Sequence, residues 1–277
     1  MSQTAFTLTI RGVRGSMAVG GVATQRYGGS TICLDVDPGL HRRIVIDCGT
    51  GIRSLAGDLP DPGPDGIHFS VFMTHYHWDH LQGLPFFRPL YDARHSFTFY
   101  GYPWDGRGVE EVIAGAVAPP WFPVSLGETP STKSFVELGG DPITVGDVTV
   151  TYTRLHHPQG VTAYRLDHGD RSIALATDTE AGDPAADAAL RELATGVDVL
   201  IHDAQYLPEE QEGQYRGWGH STWRHAVAAA RASGSGRLIL MSHDPDRSDA
   251  EIDAMVERAR REFPSLEAAY EGMEIEL

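Results

Sequence analysis

The segment THYHWDH, residues 74–80, places three histidines and one aspartate within seven positions. The donors are His75, His77, Asp79 and His80, in the spacing H-x-H-x-D-H. Imidazole nitrogens and carboxylate oxygens are ligands that suit zinc, manganese and iron. His75 and His77 can direct their rings to one ion, while Asp79 and His80 face a neighbouring position. With 13 histidines in 277 residues, a chance occurrence of this pattern is on the order of a few in a thousand, so the spacing indicates a metal site.

Four ligands do not complete two metal sites, so further donors must come from elsewhere in the chain. Several apolar runs end in histidine or aspartate, and strands that end in polar residues deliver them to the rim of a sheet. These residues are His156 or His157 in LHHPQG, Asp178 in ATDTE, His202 and Asp203 in VLIHD, and His243 in SHDP. One histidine of the 156–157 pair, Asp178 and His243 bring the donors to the seven that a dinuclear centre uses.

Short β-like runs recur along the whole chain, separated by turn formers such as DPG and DHGD. Helical patterning covers about residues 109–117, 184–195, 221–233 and 248–261. Ser221 precedes one helix as its N-cap, and Ser248 with Glu251 forms a capping box at another. Strands outnumber helices, and helices fall between strand groups in both halves, which indicates packed sheets with helices outside. Because no linker divides the chain, we expect a single domain over residues 1–277.

Composition narrows the class of function. The chain has 41% hydrophobic residues and a formal net charge of −16, from 38 acidic and 22 basic residues. This charge opposes binding of nucleic acid or anionic membranes, although a local cation can still admit a small anionic substrate. We expect the two cysteines, Cys33 and Cys48, to be reduced core residues. Residues 1–16 lack a signal-peptide pattern and no run approaches the ~18 apolar residues of a membrane span, which predicts a cytoplasmic protein without membrane contact.

The order H-x-H-x-D-H, then histidine, aspartate and histidine, resembles the metallo-β-lactamase superfamily between residues 47 and 243. The resemblance implies an α/β (α+β) fold, an αββα sandwich of two mixed β-sheets flanked by helices, with a two-metal site at one edge. It implies one ion held by His75, His77 and His157, a second held by Asp79, His80 and His243, and Asp178 as the bridge. The segment HPQGVTAYRL favours His157 over His156, although Ala163-Tyr164 stands where the family has Gly-Tyr. Two divalent ions are implied, zinc first, with manganese or iron as alternatives.

Further segments resemble the branch of tRNase Z-like enzymes and cyclic-nucleotide phosphodiesterases. They are DAQYLPEE…GWGHST, RYGGST, DCGTGIRSL and HLQGLPFFRPLY. By this resemblance His220, in GHST, is a catalytic group and not a ligand, and Asp79 also orients the attacking hydroxide. Asp47 and Asp203 are expected behind the ligands, where they support the metal-bound side chains.

The resemblance implies a dinuclear-metal-dependent phosphodiesterase. Its substrate would be a small anionic, nucleotide-like phosphodiester, foremost a cyclic mononucleotide, attacked by a hydroxide between the two ions. A tRNA substrate is not expected, because the long basic arm of tRNase Z is missing between Asp178 and His220, where LPEEQEGQYRGW is acidic. A homodimer is expected by the same resemblance.

Other functions on this framework remain alternatives. They are a tRNase Z-like RNA endonuclease, a lactone or thioester hydrolase on the same metals, and a non-catalytic sensor that keeps the fold. The complete ligand set disfavours the sensor. A redox di-iron role is disfavoured because His77 stands where that branch has glutamate.

The substrate-binding residues are not assigned by any motif. The segments GYPWDGRG and APPWFPVSL carry Trp104, Trp121 and Phe122 among prolines and glycines. Such aromatic residues can stack on a base or line a pocket. They can equally lie exposed on the surface or pack in a dimer.

Overall fold

The structure, a computed structural model, describes residues 7–39 and 41–276. The first sheet runs in the order β14-β1-β2-β3-β4-β5-β6. Its strands are β1 (Thr7–Gly12), β2 (Cys33–Val36), β3 (Arg42–Ile46), β4 (His68–Phe72), β5 (Ser96–Gly101), β6 (Thr132–Glu137) and β14 (Glu274–Glu276). Pairing is antiparallel from β14 to β3 and parallel from β3 to β6.

The second sheet also has seven strands, in the order β13-β12-β11-β10-β9-β8-β7. They are β7 (Ile143–Val145), β8 (Val148–Leu155), β9 (Val161–His168), β10 (Arg171–Ala176), β11 (Val199–Asp203), β12 (Arg237–Met241) and β13 (Leu266–Ala268). Strands β10 to β13 are parallel, and β7 to β10 are antiparallel. The mixed pairing agrees with the fold that the motifs implied.

Three apolar layers hold the sandwich together. The central layer joins residues of both sheets, such as Ile10 and Ile44 from the first and Ile173 and Ile201 from the second. A second layer packs three helices on the outer face of the second sheet, and a third covers the first sheet. Burial of these side chains is the main source of stability, at roughly 25 cal/mol per Å² of apolar surface removed from water.

Six α-helices lie in the described residues: α1 (Ile52–Asp58), α2 (Val109–Ala116), α3 (Pro184–Leu193), α4 (Pro208–Gln211), α5 (Trp223–Ser233) and α6 (Asp249–Arg260). The four predicted helices are confirmed to within about two residues, and the predicted Ser248–Glu251 capping box is present. The predicted cap at Ser221 is wrong. Thr222 caps α5 instead, because the Ser221 hydroxyl donates to the carbonyl oxygen of Thr179 at 2.6 Å.

Both cysteines are buried and free, as predicted. Within the described part of the chain, no helix combines the length and apolar character needed to cross a membrane. The signal-peptide prediction concerns residues 1–16, of which residues 1–6 lie outside the described residues.

Candidate metal centre

The predicted ligands follow the ends of strands from both sheets, at one rim of the sandwich. His75 follows β4 by three residues, Asp178 follows β10 by two, and His243 follows β12 by two. His157 follows β8 by two residues. The sheets are joined at this rim because Thr162 N–H donates to the carbonyl oxygen of Thr74 at 2.8 Å. Residues far apart in the sequence are therefore brought into contact.

Three histidines form the first group of donors. One ligand atom from each of His75, His77 and His157 lies within 4.8 Å of the others. The closest pair is His157 Nε2 and His77 Nδ1, at 3.1 Å. Around a tetrahedral zinc with Zn–N distances of about 2.0–2.1 Å, neighbouring nitrogens lie roughly 3.3 Å apart. The observed spacing therefore fits a shared cation.

The outer nitrogen of His157 is fixed by the backbone. Its Nδ1–H donates to the carbonyl oxygen of Gly219 at 2.7 Å, which leaves Nε2 as the free donor. His75 presents the complementary feature, since its Nε2 is buried and has no hydrogen-bond partner. A buried nitrogen without a partner costs free energy unless a ligand satisfies it. Both atoms are thus available to a metal.

The second group contains His80 and two carboxylates. His80 Nε2 lies 3.1 Å from Asp178 Oδ2 and 3.3 Å from Asp79 Oδ2. His75, His80 and Asp178 also have ligand atoms within 4.8 Å of one another, so the two groups share His75. On its other side, His80 Nδ1 contacts Asp47 Oδ2 at 2.7 Å. Asp47 therefore contacts a candidate ligand from behind, and its supporting role stays a prediction.

The charges at this group also fit bound cations. Asp79 and Asp178 are buried, and neither forms an ion pair with Lys or Arg in the part of the chain that the structure describes. Burial acts to lower the pKa of His80, but Asp79 and the other carboxylates around it outweigh burial and raise that pKa well above its usual range. Positive charge is therefore favoured here, and buried carboxylates commonly obtain it from a metal.

Two histidines of the first group, His75 and His157, have pKa values shifted in the opposite direction. Burial lowers the pKa of His75 well below its usual range, and the neighbouring His80 adds to the effect. Burial likewise lowers the pKa of His157. Neutral imidazole is the form that coordinates a metal, so these rings are already in the binding state at neutral pH.

Backbone strain is concentrated at the same rim. Asp47, Asp178, Ser242 and Ser16 have φ values of 60°, 49°, 57° and 63°, in the left-handed region. All four contact the centre, because Ser242 Oγ donates to Asp178 Oδ1 at 3.0 Å and Ser16 N–H donates to Asp79 Oδ2 at 2.9 Å. Strained conformations of this kind occur frequently at functional sites.

His243 is held apart from the other predicted ligands. It belongs to none of the close donor groups found among the described residues. Its Nε2–H donates to the carbonyl oxygen of Ala269 at 2.9 Å, and its buried Nδ1 has no partner. The preceding residue, Ser242, contacts Asp178. The carbonyl oxygen of His243 accepts a hydrogen bond from the N–H of Gly15, next to Ser16, at 3.1 Å. The unpartnered Nδ1 is the atom it can offer to a cation, and its role as a ligand stays a prediction.

His220 and Asp203 form a hydrogen-bonded pair next to Asp178. His220 Nδ1–H donates to Asp203 Oδ2 at 2.7 Å, and Ser221 N–H donates to Asp203 Oδ1 at 2.7 Å. Donor atoms of Asp178, Asp203 and His220 lie within 4.8 Å of one another. Burial acts to lower the pKa of His220, but Asp203 and Asp178 outweigh it and raise that pKa to about 9. An imidazolium beside the centre can donate a proton to a departing group.

One buried residue of the site has no sequence motif of its own. Glu180 lies two residues after Asp178, and its carboxylate accepts from Gly217 N–H and Gly219 N–H, both at 2.8 Å. Gly219 has φ +90°, and a Cβ there would lie 2.3 Å from His157 Nδ1. Glu180 therefore anchors the turn whose carbonyl oxygen orients His157 and which leads into His220. The sequence segment ATDTE contains this glutamate, but its partners at Gly217 and Gly219 are distant in the chain and no local pattern identifies them.

The remaining candidates are placed as follows. His156 is exposed, and its carbonyl oxygen accepts from Glu180 N–H at 2.9 Å, so His157 and not His156 faces the other donors. Trp104 lines a cavity beside His75. Trp121 is 73% exposed. Phe122 packs edge-to-face on Phe86 at 5.5 Å between ring centroids, so the two aromatic segments do not form one pocket wall.

Comparisons with known proteins agree with this architecture. Residues 42–243 match the family model described as the Beta-lactamase superfamily domain. Ribonuclease BN of Escherichia coli O6:K15:H31 (strain 536 / UPEC) is 27% identical over 301 residues, covering 90% of this chain and 94% of that protein. The metallo-beta-lactamase fold protein YhfI from Bacillus subtilis has a TM-score of 0.74 at 18% identity, covering 99% of this chain and 100% of that one. A diphosphatase from the PhnP family has a TM-score of 0.71 at 19% identity, covering 98% of each chain. These likenesses confirm the predicted αββα sandwich.

Proposed function

Because the chain belongs to the β-lactamase superfamily of hydrolases, as its motifs predicted, we propose that it is a metal-dependent phosphodiesterase acting on a small phosphodiester, foremost a cyclic mononucleotide. The observation that carries the proposal is the arrangement of donors. Two three-residue groups share His75, and a hydrogen-bonded His220–Asp203 pair adjoins Asp178 of the second group. This combination serves hydrolysis that needs both an activated water and a proton donor.

The residues present fit a pair of divalent ions, zinc first and manganese or iron as alternatives. His75, His77 and His157 would hold one ion, Asp79, His80 and His243 the other, and Asp178 would bridge them. When bound, two such ions supply an activated water at neutral pH and neutralise charge on phosphoryl oxygens. The unpartnered Nε2 of His75 and Nδ1 of His243 are the atoms that support this assignment.

The chain's own side chains account for orientation and proton transfer. Asp79, held by Ser16 N–H at 2.9 Å, presents a fixed carboxylate that can accept a hydrogen bond from the attacking water. Asp203 holds Nδ1 of His220, so the proton on Nε2 is the one available to the departing alkoxide oxygen. General acid catalysis of this kind contributes roughly 10²–10⁴-fold to the rate.

A small substrate is favoured over RNA by charge and by shape. The net charge of −16 opposes a phosphate backbone. The chain between Asp178 and His220 folds into α3, β11 and α4, and the segment after α4 is pinned by Glu180. Among its described residues this region contains no extended basic arm, which the resemblance to tRNase Z would place here.

The experiment that tests the proposal is a substrate panel with metal-loaded protein. It compares bis(p-nitrophenyl) phosphate, cyclic mononucleotides and cyclic dinucleotides with lactones and nitrocefin. We expect turnover of phosphodiesters, with a cyclic mononucleotide among the best substrates. Hydrolysis of lactones without hydrolysis of any phosphodiester would show that the protein is a lactone hydrolase and not a phosphodiesterase.

A second candidate is an RNA endonuclease, because relatives named ribonuclease BN align with 90% of this chain. An RNA hairpin with a 3′ single-stranded extension provides its test. Cleavage of that RNA at a higher kcat/KM than any small phosphodiester would favour this candidate.

A further inference from the structure

We propose that a cavity beside His75 binds a second phosphate group of the substrate, distinct from the one attacked, through Arg107 and Arg154. This inference rests on the proposed phosphodiesterase function and narrows its substrate class to nucleotides that carry a further phosphate, such as a cyclic mononucleotide with a second, non-cyclic phosphate group. The cavity has a volume of about 260 Å³ and is lined by Thr74, His75 and Tyr76 on one side. Arg107, Arg154 and the rings of Trp104 and Tyr102 also line the cavity.

Arg107 is placed by a tight two-residue hairpin. Trp104 and Arg107 exchange both backbone hydrogen bonds at 2.9 Å, and the turn residues Asp105 and Gly106 have φ values of 51° and 75°. Positive φ at both central positions is the type I′ turn that an Asp-Gly pair favours. The hairpin sets the Arg107 guanidinium over the Trp104 ring, 4.3 Å from its centroid. The WDGR segment thus holds the Arg107 guanidinium in a defined position over the Trp104 ring.

Arg154, on β8 of the second sheet, has a guanidinium group with three close neighbours. Its guanidinium lies 4.8 Å from the centroid of the Tyr102 ring, and Nη2 donates to the carbonyl oxygen of Gln159 at 3.2 Å. It also lies directly over Gly160, where a Cβ would come within 2.0 Å of Nη2. Gly160 has φ +85°, so this position favours glycine for both space and backbone conformation. Tyr76 Oη donates to the carbonyl oxygen of Tyr102 at 2.8 Å and fixes the ring beneath.

Neither guanidinium has a carboxylate partner. Among the described residues, no ion pair involves Arg107 or Arg154, although the chain carries 38 acidic residues. Glu137 lies beside Gly108, whose Cβ would be 3.1 Å from Oε1, and it pairs with neither arginine. Two preorganised guanidinium groups without a counterion match the planar, two-point recognition that arginine offers to phosphate.

The aromatic rings of this wall stack against the two arginines. One face of Trp104 and one face of Tyr102 are covered by guanidinium groups at 4.3 and 4.8 Å. Tyr102 also packs edge-to-face on Tyr152 at 6.1 Å between centroids. Cation–π contact strengthens and orients the charge. The cavity is smaller than the roughly 300–1,000 Å³ of a complete small-molecule site, so it suits one group of a substrate.

A matched pair of chromogenic substrates tests the subsite. Thymidine 5′-(p-nitrophenyl phosphate) and its 3′-phosphorylated form share the bond to be broken and differ by one phosphate. We expect wild-type protein to prefer the 3′-phosphorylated form by about tenfold or more in kcat/KM. In Arg107→Ala and Arg154→Ala this ratio should fall toward one. Arg261→Ala, which removes an exposed arginine at the end of α6, should keep the wild-type ratio.

A binding measurement separates this proposal from the proposed function. Titration calorimetry with thymidine 3′,5′-bisphosphate and thymidine 5′-monophosphate needs no turnover. We expect the bisphosphate to bind about tenfold more tightly to wild type and equally to the two arginine variants. Loss of all phosphodiesterase activity with this binding pattern intact would defeat the proposed function alone. A ratio near one in wild type, or a ratio that the arginine substitutions leave unchanged, would overturn the subsite.

Discussion

His156 and His157 are adjacent in the chain but have opposite surroundings. His157 is 5% exposed, its Nδ1 is bound to the Gly219 carbonyl oxygen, and its Nε2 points to His77. His156 is exposed and offers its carbonyl oxygen to Glu180. A strand that ends at Leu155 turns successive side chains to opposite sides, so one histidine of the pair faces the rim.

These surroundings make the pair a matched test of the first metal group. His157→Ala should lose one of two bound ions, or bind it at least 10–100-fold more weakly, because that range already follows from disturbing a ligand's support. His156→Ala should retain wild-type metal content. Plasma mass spectrometry of dialysed protein gives the count. Equal metal loss in both variants would contradict the assignment.

His220 separates proton donation from metal binding. His220→Ala should keep the wild-type metal content, because the ring is held by Asp203 and is not placed as a ligand. It should lower kcat by roughly 10²–10⁴-fold on a phosphodiester whose leaving group needs a proton. The loss should be smaller for bis(p-nitrophenyl) phosphate, whose p-nitrophenolate leaves without one. Unchanged kcat on both substrates would remove His220 from the mechanism.

Metal-donor residues that cluster in one motif can be recognised in the sequence, whereas residues whose partners are distant in the chain cannot. The donors of H-x-H-x-D-H stand out because four of them lie within six residues. Glu180 and Arg154 do not, since each acts on a partner that the fold brings close. Glu180 contacts Gly219, which lies 39 residues away along the chain, and Arg154 contacts the ring of Tyr102. No local spacing encodes such pairs.

Among the secondary-structure elements, the segment from α4 to α5 depends on a buried carboxylate. Glu180 accepts two backbone hydrogen bonds from the turn at residues 217–219, and Gln211 Nε2 donates to it at 3.3 Å. In this turn the Gly219 carbonyl oxygen accepts a hydrogen bond from His157. The next residue, His220, lies beside Asp178. The Glu180 side chain thereby connects the loop after β10 to the turn that precedes the hydrogen-bonded His220–Asp203 pair.

Glu180→Gln tests this role. The substitution replaces one of the two carboxylate oxygens with an amide nitrogen, which cannot accept the hydrogen bond from the Gly217 or Gly219 N–H. Loss of this hydrogen bond should lower the free energy of unfolding by about 1–3 kcal/mol. We expect weaker metal binding at the first group and a fall in kcat of about tenfold, with a smaller change in KM. Glu212→Gln, an exposed glutamate in the same segment, is the control. Stopped-flow turnover with metal titration measures both effects, and identical behaviour of the two variants would refute the role.

Some secondary-structure elements could be predicted from the sequence and others could not, for physical reasons. Helices with caps and periodic apolar faces, such as α3 and α6, were found because capping and periodicity are local. The edge strands β6, β13 and β14 do not coincide with any of the β-like runs in the sequence. The first is largely exposed and the others have three residues each, so none carries a continuous apolar run. The short helix α1 contains Gly57, which weakens its helical signal.

For the whole molecule, sheet order and the meeting of the two sheets could not be obtained from the sequence. Parallel neighbours such as β10 and β11 pair across an intervening helix, and this register appears only in three dimensions. The resemblance supplied the sandwich, and composition supplied the acidic net charge. The homodimer and the cytoplasmic location stay predictions.

Acid should destabilise the whole fold through buried neutral histidines. Burial lowers the pKa of His202 to about 4, and its Nδ1–H donates to the carbonyl oxygen of Asp203 at 2.7 Å. In the unfolded chain that pKa is about 6.5, so the stabilisation is present above about pH 6.5 and lost as the pH falls toward 4. Between about pH 7.5 and 5 the loss from this residue is about 2 kcal/mol.

Urea unfolding with a chelator present, at about pH 7.5 and 5, checks this value. The free energy of unfolding of His202→Gln should fall by about 2 kcal/mol less than that of wild type over this interval. The chelator removes any contribution from bound metal to both proteins. Equal pH dependence in the two proteins would show that His202 is not held neutral by the fold.

Metal analysis combined with turnover measurements can show whether side chains from both sheets hold a catalytic pair of metal ions. We expect about two divalent ions per chain, loss of phosphodiester hydrolysis on chelation, and recovery when zinc or manganese is returned. Asp178→Ala, which removes the carboxylate between the two groups, should bind fewer ions and lose activity. If the protein hydrolyses phosphodiesters at the same rate after complete chelation, or binds no divalent ion, it does not use a catalytic metal pair.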